Sequence, residues 1–250
     1  MPSPAFLHRQ KHAAIRAAGR AAQSPALSDE ERILHRLYQD EKRLKGIQSN
    51  KRKAELKREM LPDYQGWIDG TLAADSGRPD KVVVMCATWM IDAGCAEEAM
   101  PLIEYIVRHK LPLPDDWNRT PAAFFVEEIC NPALSAVKLD TAARPLPASM
   151  LLRLDEVMAE EDMPDAVRAK LFKLLGLTLR HGDADMQQKA LEYLLQAMTL
   201  NDGAGVKKEI DTLRRAIARS EQASAQADSS PGNAPPAPPA AEGENNKQGD

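Results

Sequence analysis

The sequence predicts an all-α protein with a long basic N-terminal helix, a body of helical hairpins and a disordered C-terminal tail. Ala, Leu, Lys, Arg and Glu are abundant, and all five favour helices. No stretch alternates apolar and polar residues as a half-buried strand would, and aromatic residues occupy only 4% of the 250 positions. These observations exclude an all-β fold. Local patterns, described next, divide the chain into four parts: 1–27, 28–61, 62–219 and 220–250.

The N-terminal parts are expected to be a flexible arm and a helix. Residues 1–27 are basic and Ala-rich and have no apolar stripe that would require burial. The capping-box pattern Ser28-Asp29-Glu30-Glu31 then predicts a helix start. Apolar residues follow at helical spacing until Pro62: Ile33, Leu34, Leu37, Leu44, Ile47, Leu56 and Met60. The pattern predicts one amphipathic helix over 28–61 that buries its stripe against another helix or another copy, although Gly46 and the polar run 48–50 could instead break it into a hairpin.

Residues 62–219 are expected to form the helical-hairpin body. One helix-turn-helix unit spans 80–111; its start, Val82–Val84, resembles a strand, but the apolar face continues at helical spacing. A second unit spans 162–200, and single helices are expected at 121–129 and 206–219. Residues in both units fit tetratricopeptide positions, which bring paired helices close together. They are Ala99, Ile103 and Ile106 in the first unit and Phe172, Leu175, Gly176, Leu179, Ala190, Leu194 and Ala197 in the second.

The final part, residues 220–250, contains no large apolar residue and is expected to be a disordered acidic tail. No window approaches the roughly 18 apolar residues of a membrane span, and no secretory signal is recognisable, so no membrane partner is expected. Cys86, Cys95 and Cys130 form no metal-binding pair and are expected to be small buried residues.

Motifs for catalysis are scarce. The chain contains no Gly-Lys dipeptide and therefore no phosphate-binding loop of an ATPase, and its five His residues lack the spacing of metal ligands. No cofactor and no metal are expected. Asp40, Glu55 and Lys57 have the loose spacing of one metal-dependent nuclease superfamily, but they fall on a helical pattern instead of a strand hairpin, so surface charges are the favoured interpretation.

The distribution of charge is more informative than its sum. Residues 1–60 carry 14 Lys and Arg against 7 Asp and Glu, whereas residues 61–219 carry 18 against 25. Eight cations lie within 17 residues that contain a single acid, Glu55, and they are the predicted DNA-binding residues: Lys42, Arg43, Lys45, Lys51, Arg52, Lys53, Lys57 and Arg58. Such a cluster can neutralise several phosphates at once, although a solvated helix face would look the same.

Several strings of the sequence resemble the small terminase subunits of tailed phages, in the branch named terminase endonuclease subunit (GpM type). They are KRKAELKREMLPDYQGWIDG at 51–70, the helix pair ending LPLP at 114, RTPAAFFVEEI at 119–129, MPDAVRAKLFKLLGL at 163–177 and GVKKEIDTLRR at 205–215. The resemblance implies a protein of the bacterial host cytoplasm that recognises double-stranded viral DNA. It also implies a partner, the large ATPase subunit, for DNA cleavage and packaging.

The sequence is therefore compatible with three functions. The first is a DNA-recognition and assembly subunit that forms a homo-oligomer and docks the large subunit through its body. The second is a metal-dependent endonuclease that itself cuts concatemeric DNA, for which the sequence offers no nuclease motif. The third is a tetratricopeptide-like adaptor that binds only protein.

Overall fold

The computed structural model describes residues 27–114 and 118–228, with side chains as far as residue 222, and this part of the chain is all-α. Ten α-helices follow one another: α1 Asp29–Lys45, α2 Asn50–Met60, α3 Gln65–Ala74, α4 Lys81–Asp92, α5 Ala96–Arg108, α6 Pro121–Leu139, α7 Ala148–Met158, α8 Asp165–Leu179, α9 Ala184–Leu200 and α10 Lys207–Asp228. Short 3-10 turns occupy Leu61–Tyr64 and Asp202–Ala204. The predicted fold class is confirmed.

The helix expected over 28–61 is divided into two. α1 begins at the predicted capping box, in which Ser28 Oγ accepts from the backbone N–H of Glu31 and the Glu31 carboxylate accepts from that of Ser28. It ends at Gly46, whose N–H donates to the Arg43 carbonyl. Ser49 then caps α2 by accepting from the backbone N–H of Arg52. The break at Gly46, left open by the sequence, is the observed form, and Ser49 supplies the cap of the new helix.

The apolar stripe of this segment packs inside the chain. Leu37 and Leu44 of α1 and Leu56 and Met60 of α2 are buried in the common hydrophobic core. Both helices pack against α4. Val82–Val84 lie in α4, a helix as predicted. Most of the apolar stripe is therefore buried within the chain itself.

Both predicted helix-turn-helix units are present, as α4–α5 and α8–α9. Within the second, α8 and α9 cross at Gly176, where a Cβ atom would lie 2.5 Å from Leu194 Cγ and 3.0 Å from the Ala190 carbonyl oxygen. The absence of a side chain at Gly176 thus allows the close approach. A tetratricopeptide arrangement of the units stays a prediction.

The remaining helices extend beyond the expected limits. α6 begins at Pro121, as predicted, but continues to Leu139, and the structure adds a cap at Thr120. α7 was not predicted. α10 continues to Asp228, nine residues into the segment expected to be disordered, because a helix that has already formed is extended at little cost through Ala- and Gln-containing sequence. Residues 1–26 of the predicted arm and 229–250 of the predicted tail lie outside the described residues.

Candidate nucleic-acid interface

The eight predicted cations lie on both sides of the connection 46–49. Three stand in the last turn of α1, and five are distributed along α2. We call six of them, those adjoining the connection, the cationic turn. They are Lys42, Arg43, Lys45, Lys51, Arg52 and Lys53.

The cationic turn is open to solvent. Lys42, Lys45 and Lys51 are exposed, and Lys53 is half-buried. None of these four lysines forms an ion pair with another described residue. Arg43 pairs with Asp40 and Arg52 with Glu55, each within its own helix, yet their side chains remain 58% and 62% exposed. All six cations can therefore be approached from solvent.

Lys57 and Arg58 instead hold α2 against the body. Lys57 Nζ forms an ion pair with Asp92 at the end of α4, and only 14% of the Lys57 side chain is exposed. The guanidinium of Arg58 donates to the carbonyl of Ala93, the next residue after α4. Burial and, after it, the charge of Asp92 raise the pKa of nearby Glu128. Both predicted site residues therefore contact the end of α4, Lys57 with its side chain largely covered and Arg58 while it remains exposed.

A second anchor fixes α1. The Asp40 carboxylate is buried and accepts from Tyr64 Oη at 2.9 Å and from Arg43 Nη1 at 2.9 Å. The Tyr64 ring is also buried and packs edge-on against Trp89, with ring centroids 5.8 Å apart. The guanidinium of Arg36 lies over the other side of this cluster, 5.9 Å from the Tyr64 ring centroid. Asp40 thus links the cationic turn to the core.

The nuclease-like trio does not share a site. Asp40 bonds to Tyr64, Glu55 pairs with Arg52, and Lys57 pairs with Asp92. Within the described residues, no group of three or more His, Cys, Asp or Glu side chains is arranged to hold a metal ion.

Helix stability does not explain the charges at the start of α2. Lys51, Arg52 and Lys53 occupy its first turns, and no acid lies in the first turn. The N-terminal end of a helix carries partial positive charge, so cations there are unfavourable for the helix itself. The lysines at the end of α1, by contrast, suit the negative end of that helix. The placement on α2 favours an external anion as the partner.

A second basic segment escaped the sequence analysis. The total for 61–219 is acidic, but α10 alone carries Lys207, Lys208, Arg214, Arg215 and Arg219 against Glu209 and Asp211 up to residue 219. A charge count in a window of one helix length would have found it.

Fold and charge together define the class: a helical protein with an exposed basic turn on an acidic body. The family model for the phage small terminase subunit matches residues 34–166, more than half of the chain. The chain is also 37% identical to the terminase, endonuclease subunit of Escherichia phage P2 over 219 residues, which cover 87% of this chain and 86% of that protein. No solved structure matches.

The chain therefore belongs to the phage small terminase subunit family and has a phage terminase role. As far as the chain is described, no helix is both long enough and apolar enough to cross a membrane.

Proposed function

We propose that this protein recognises viral DNA through its cationic turn and partners the large ATPase subunit in DNA cleavage and packaging in the bacterial host cytoplasm. The observation that carries the proposal is the group of six accessible cations on a turn that is anchored to the core at both ends. Membership of the small terminase subunit family supports the same assignment.

The chemistry of the cationic turn suits a duplex. Each phosphate that a Lys or Arg neutralises releases counterions, so binding weakens steeply as salt rises. Lys42, Lys45, Lys51 and Lys53 can do so without breaking an ion pair within the described part of the protein. Arg43 and Arg52 keep exposed guanidinium groups beside their local acids.

Charge reversal at Lys51 and Lys53 tests the proposal. Lys51→Glu/Lys53→Glu should weaken binding to a phage DNA fragment and lower the salt slope of log K by about 2, since each lost phosphate contact removes about one unit. The matched control Lys110→Glu/Lys138→Glu makes the same change of charge at exposed lysines outside α1 and α2 and should bind like wild type. Equal losses in both variants, or no binding by wild type, would contradict the proposal; the second result would favour the protein-binding adaptor.

We further propose that copies of the chain associate through the outer side of α1. Leu34 and Tyr38 lie one helical turn apart, Leu27 precedes the helix, and all three are exposed large apolar residues. An apolar surface of this kind is typical of a protein interface. Light scattering should give a mass above one chain for wild type and a smaller mass for Leu34→Glu/Tyr38→Glu. A monomeric wild-type protein would rule out this association.

We also propose that the body docks the large subunit at the end where α6 and α8 meet. Leu139, 90% exposed, ends α6, and Met186 is exposed at the start of α9. Arg180 donates to the Thr141 carbonyl at 2.6 Å and thereby joins the two regions. Leu139→Glu should reduce co-purification with the large subunit and leave DNA affinity unchanged. Unchanged co-purification would place the docking face elsewhere.

A metal-dependent endonuclease is the second candidate, and the name of the phage P2 relative favours it. The test is incubation of the purified protein with supercoiled plasmid and Mg²⁺ or Mn²⁺. Glu55→Gln is the informative variant, because Asp40 is a buried structural residue whose replacement would disturb α1. Nicking that Glu55→Gln abolishes would support catalysis by this subunit; no nicking with either metal would count against it.

A further inference from the structure

The last described helix has one apolar side and one cationic side. Val206, Ile210 and Leu213 are buried, and Ile217 packs partly against the core, so this side of α10 faces α9. The cations occupy exposed positions: Lys207, Lys208, Arg214, Arg215 and Arg219. The face opposite the core is therefore strongly basic and unpartnered within the described residues.

The acids of α10 leave this face largely positive. Glu209 pairs with Arg180, the residue that follows α8, at 3.5 Å. Asp211 remains exposed among the five cations of 207–219, and exposed Glu221 follows two residues after Arg219. The Nε atoms of Arg215 and Arg219 donate to the helix's own carbonyls at Asp211 and Arg215. No ion pair holds these two guanidinium groups within the described part of the chain.

The spacing of the cations forms a line along the helix. Lys208, Arg215 and Arg219 are separated by seven and four residues, which puts them on one side of α10. At about 1.5 Å of rise per residue the line is roughly 16 Å long. B-DNA carries on the order of ten phosphates over that length.

The chemistry of the face favours DNA over a protein partner. A stable protein interface has an apolar centre from which lysine is depleted. Exposed large apolar residues occur elsewhere in the described chain, at Leu27, Leu34, Tyr38, Leu139 and Met186, and α10 has none through residue 222. In addition, Lys207 and Lys208 stand at the positive end of the helix, where they oppose its dipole.

We propose that α10 is a second DNA-contact surface, at which Lys208, Arg215 and Arg219, supported by Lys207 and Arg214, bind the phosphate backbone without reading sequence. This surface is distinct from the cationic turn, because α10 packs on α9 whereas α2 packs on α4. The inference rests on the proposed DNA-binding function and adds a second contact to it.

Full-length variants test the inference by DNA affinity measured at several salt concentrations. Lys208→Gln/Arg215→Gln/Arg219→Gln removes the line of charge with residues that favour helices, and circular dichroism checks that α10 persists. We expect about tenfold weaker binding and a salt slope lower by about 2 to 3. The matched control Lys110→Gln/Lys138→Gln/Arg144→Gln removes three exposed cations elsewhere and should bind like wild type.

The cationic-turn variant Lys51→Glu/Lys53→Glu separates the two proposals. If it weakens DNA binding and the α10 variant does not, the second surface is refuted while the proposed function stands. If wild type does not bind DNA, both fail. Loss of large-subunit association by the α10 variant, with DNA affinity unchanged, would identify an acidic protein partner and overturn the inference. Crosslinking of bromouracil-substituted DNA to peptides within 207–219 would support it directly.

Discussion

Asp40 is the charged residue that the described chain buries, with 5% of its surface exposed. A buried carboxylate is costly unless hydrogen bonds satisfy it. Tyr64 and Arg43 supply those bonds, Arg43 from the same helix and Tyr64 from 24 residues further along the chain. The residue therefore stabilises one orientation of α1 over the Tyr64–Trp89 pair.

Removing the Tyr64 hydroxyl tests this role. Tyr64→Phe leaves Asp40 buried with one donor fewer and should lower the free energy of unfolding by about 1–3 kcal/mol. Urea denaturation measures the change. Tyr38→Phe is the matched control: Tyr38 is 60% exposed on α1, and the change keeps the ring of the proposed association surface while it removes only a hydroxyl. This variant should have almost no effect. Equal stability of the two variants would show that the buried bond contributes little.

The cysteines offer a second test at this scale. Burial raises the pKa of the Cys86 and Cys130 thiols to about 12, so both stay protonated below that pH. Only the thiolate reacts with alkylating agents. At pH 8, iodoacetamide should therefore label half-buried Cys95 in the native protein and all three residues in guanidinium chloride. Rapid native labelling of Cys86 or Cys130, read by mass spectrometry, would mean that the core opens easily.

At the scale of the element, the cations of α2 have two kinds of surroundings. Its first turns present Lys51, Arg52 and Lys53 to solvent, while Lys57 and Arg58 two turns later hold the helix on the end of α4.

This division predicts opposite effects within one helix. Lys57→Gln should lower the free energy of unfolding by roughly 1 kcal/mol through loss of the Asp92 pair and leave the salt slope of DNA binding unchanged. Lys51→Gln should do the reverse, lowering the slope by about 1 and sparing stability. Thermal unfolding and a salt titration of DNA affinity measure the two quantities. A lower slope for Lys57→Gln would mean that Lys57 also contacts DNA.

The α8–α9 crossing predicts a contrast between two glycines. Gly176→Ala would force a methyl group against Leu194 and the Ala190 carbonyl and should destabilise the protein by about 1–3 kcal/mol. At Gly70, in α3, an added methyl group would have no neighbour within 4 Å, so Gly70→Ala should stabilise by about 0.5–1 kcal/mol through helix propensity. Denaturant unfolding of both variants measures these changes in the free energy of unfolding. An unchanged free energy for Gly176→Ala would mean that α8 and α9 can move apart without cost.

Sequence patterns predicted which segments form helices better than they predicted where each helix ends. The Ser28 capping box was recognisable because a cap is a local pattern. The break at Gly46 was undecidable, since one glycine costs a helix only about 1 kcal/mol and the apolar spacing continues through it. What decides it is the burial of Leu44 and Leu56 in a shared core. This burial depends on contacts between distant parts of the chain, which a local sequence pattern does not reveal.

The sequence predicted which residues belong to the candidate site, but it did not predict which residues of the body they contact. The eight cations could be found by counting, yet Lys57 and Arg58 meet Asp92 and Ala93, about 35 residues further along the chain. No local pattern indicates such contacts. The basic face of α10 was missed for another reason: its charges were summed with the acids of a long body.

For the whole molecule, the separation of charge matters more than the net charge of −4. A uniformly acidic protein would be repelled by a polyanion, whereas this one presents an exposed basic turn. We expect wild type to be retained on heparin at pH 7.5. Lys51→Glu/Lys53→Glu should elute at lower salt, and Lys110→Glu/Lys138→Glu should elute like wild type. Wild type in the flow-through would show that the acidic body dominates the field.

Because Asp40–Tyr64 holds one side of the cationic turn and Lys57–Asp92 holds the other, we expect the turn to be in place before any ligand arrives. Little ordering entropy is then lost on association, unlike a basic tail that must fold onto its target. In a calorimeter, docking of a duplex at this turn should accordingly show a small heat-capacity change.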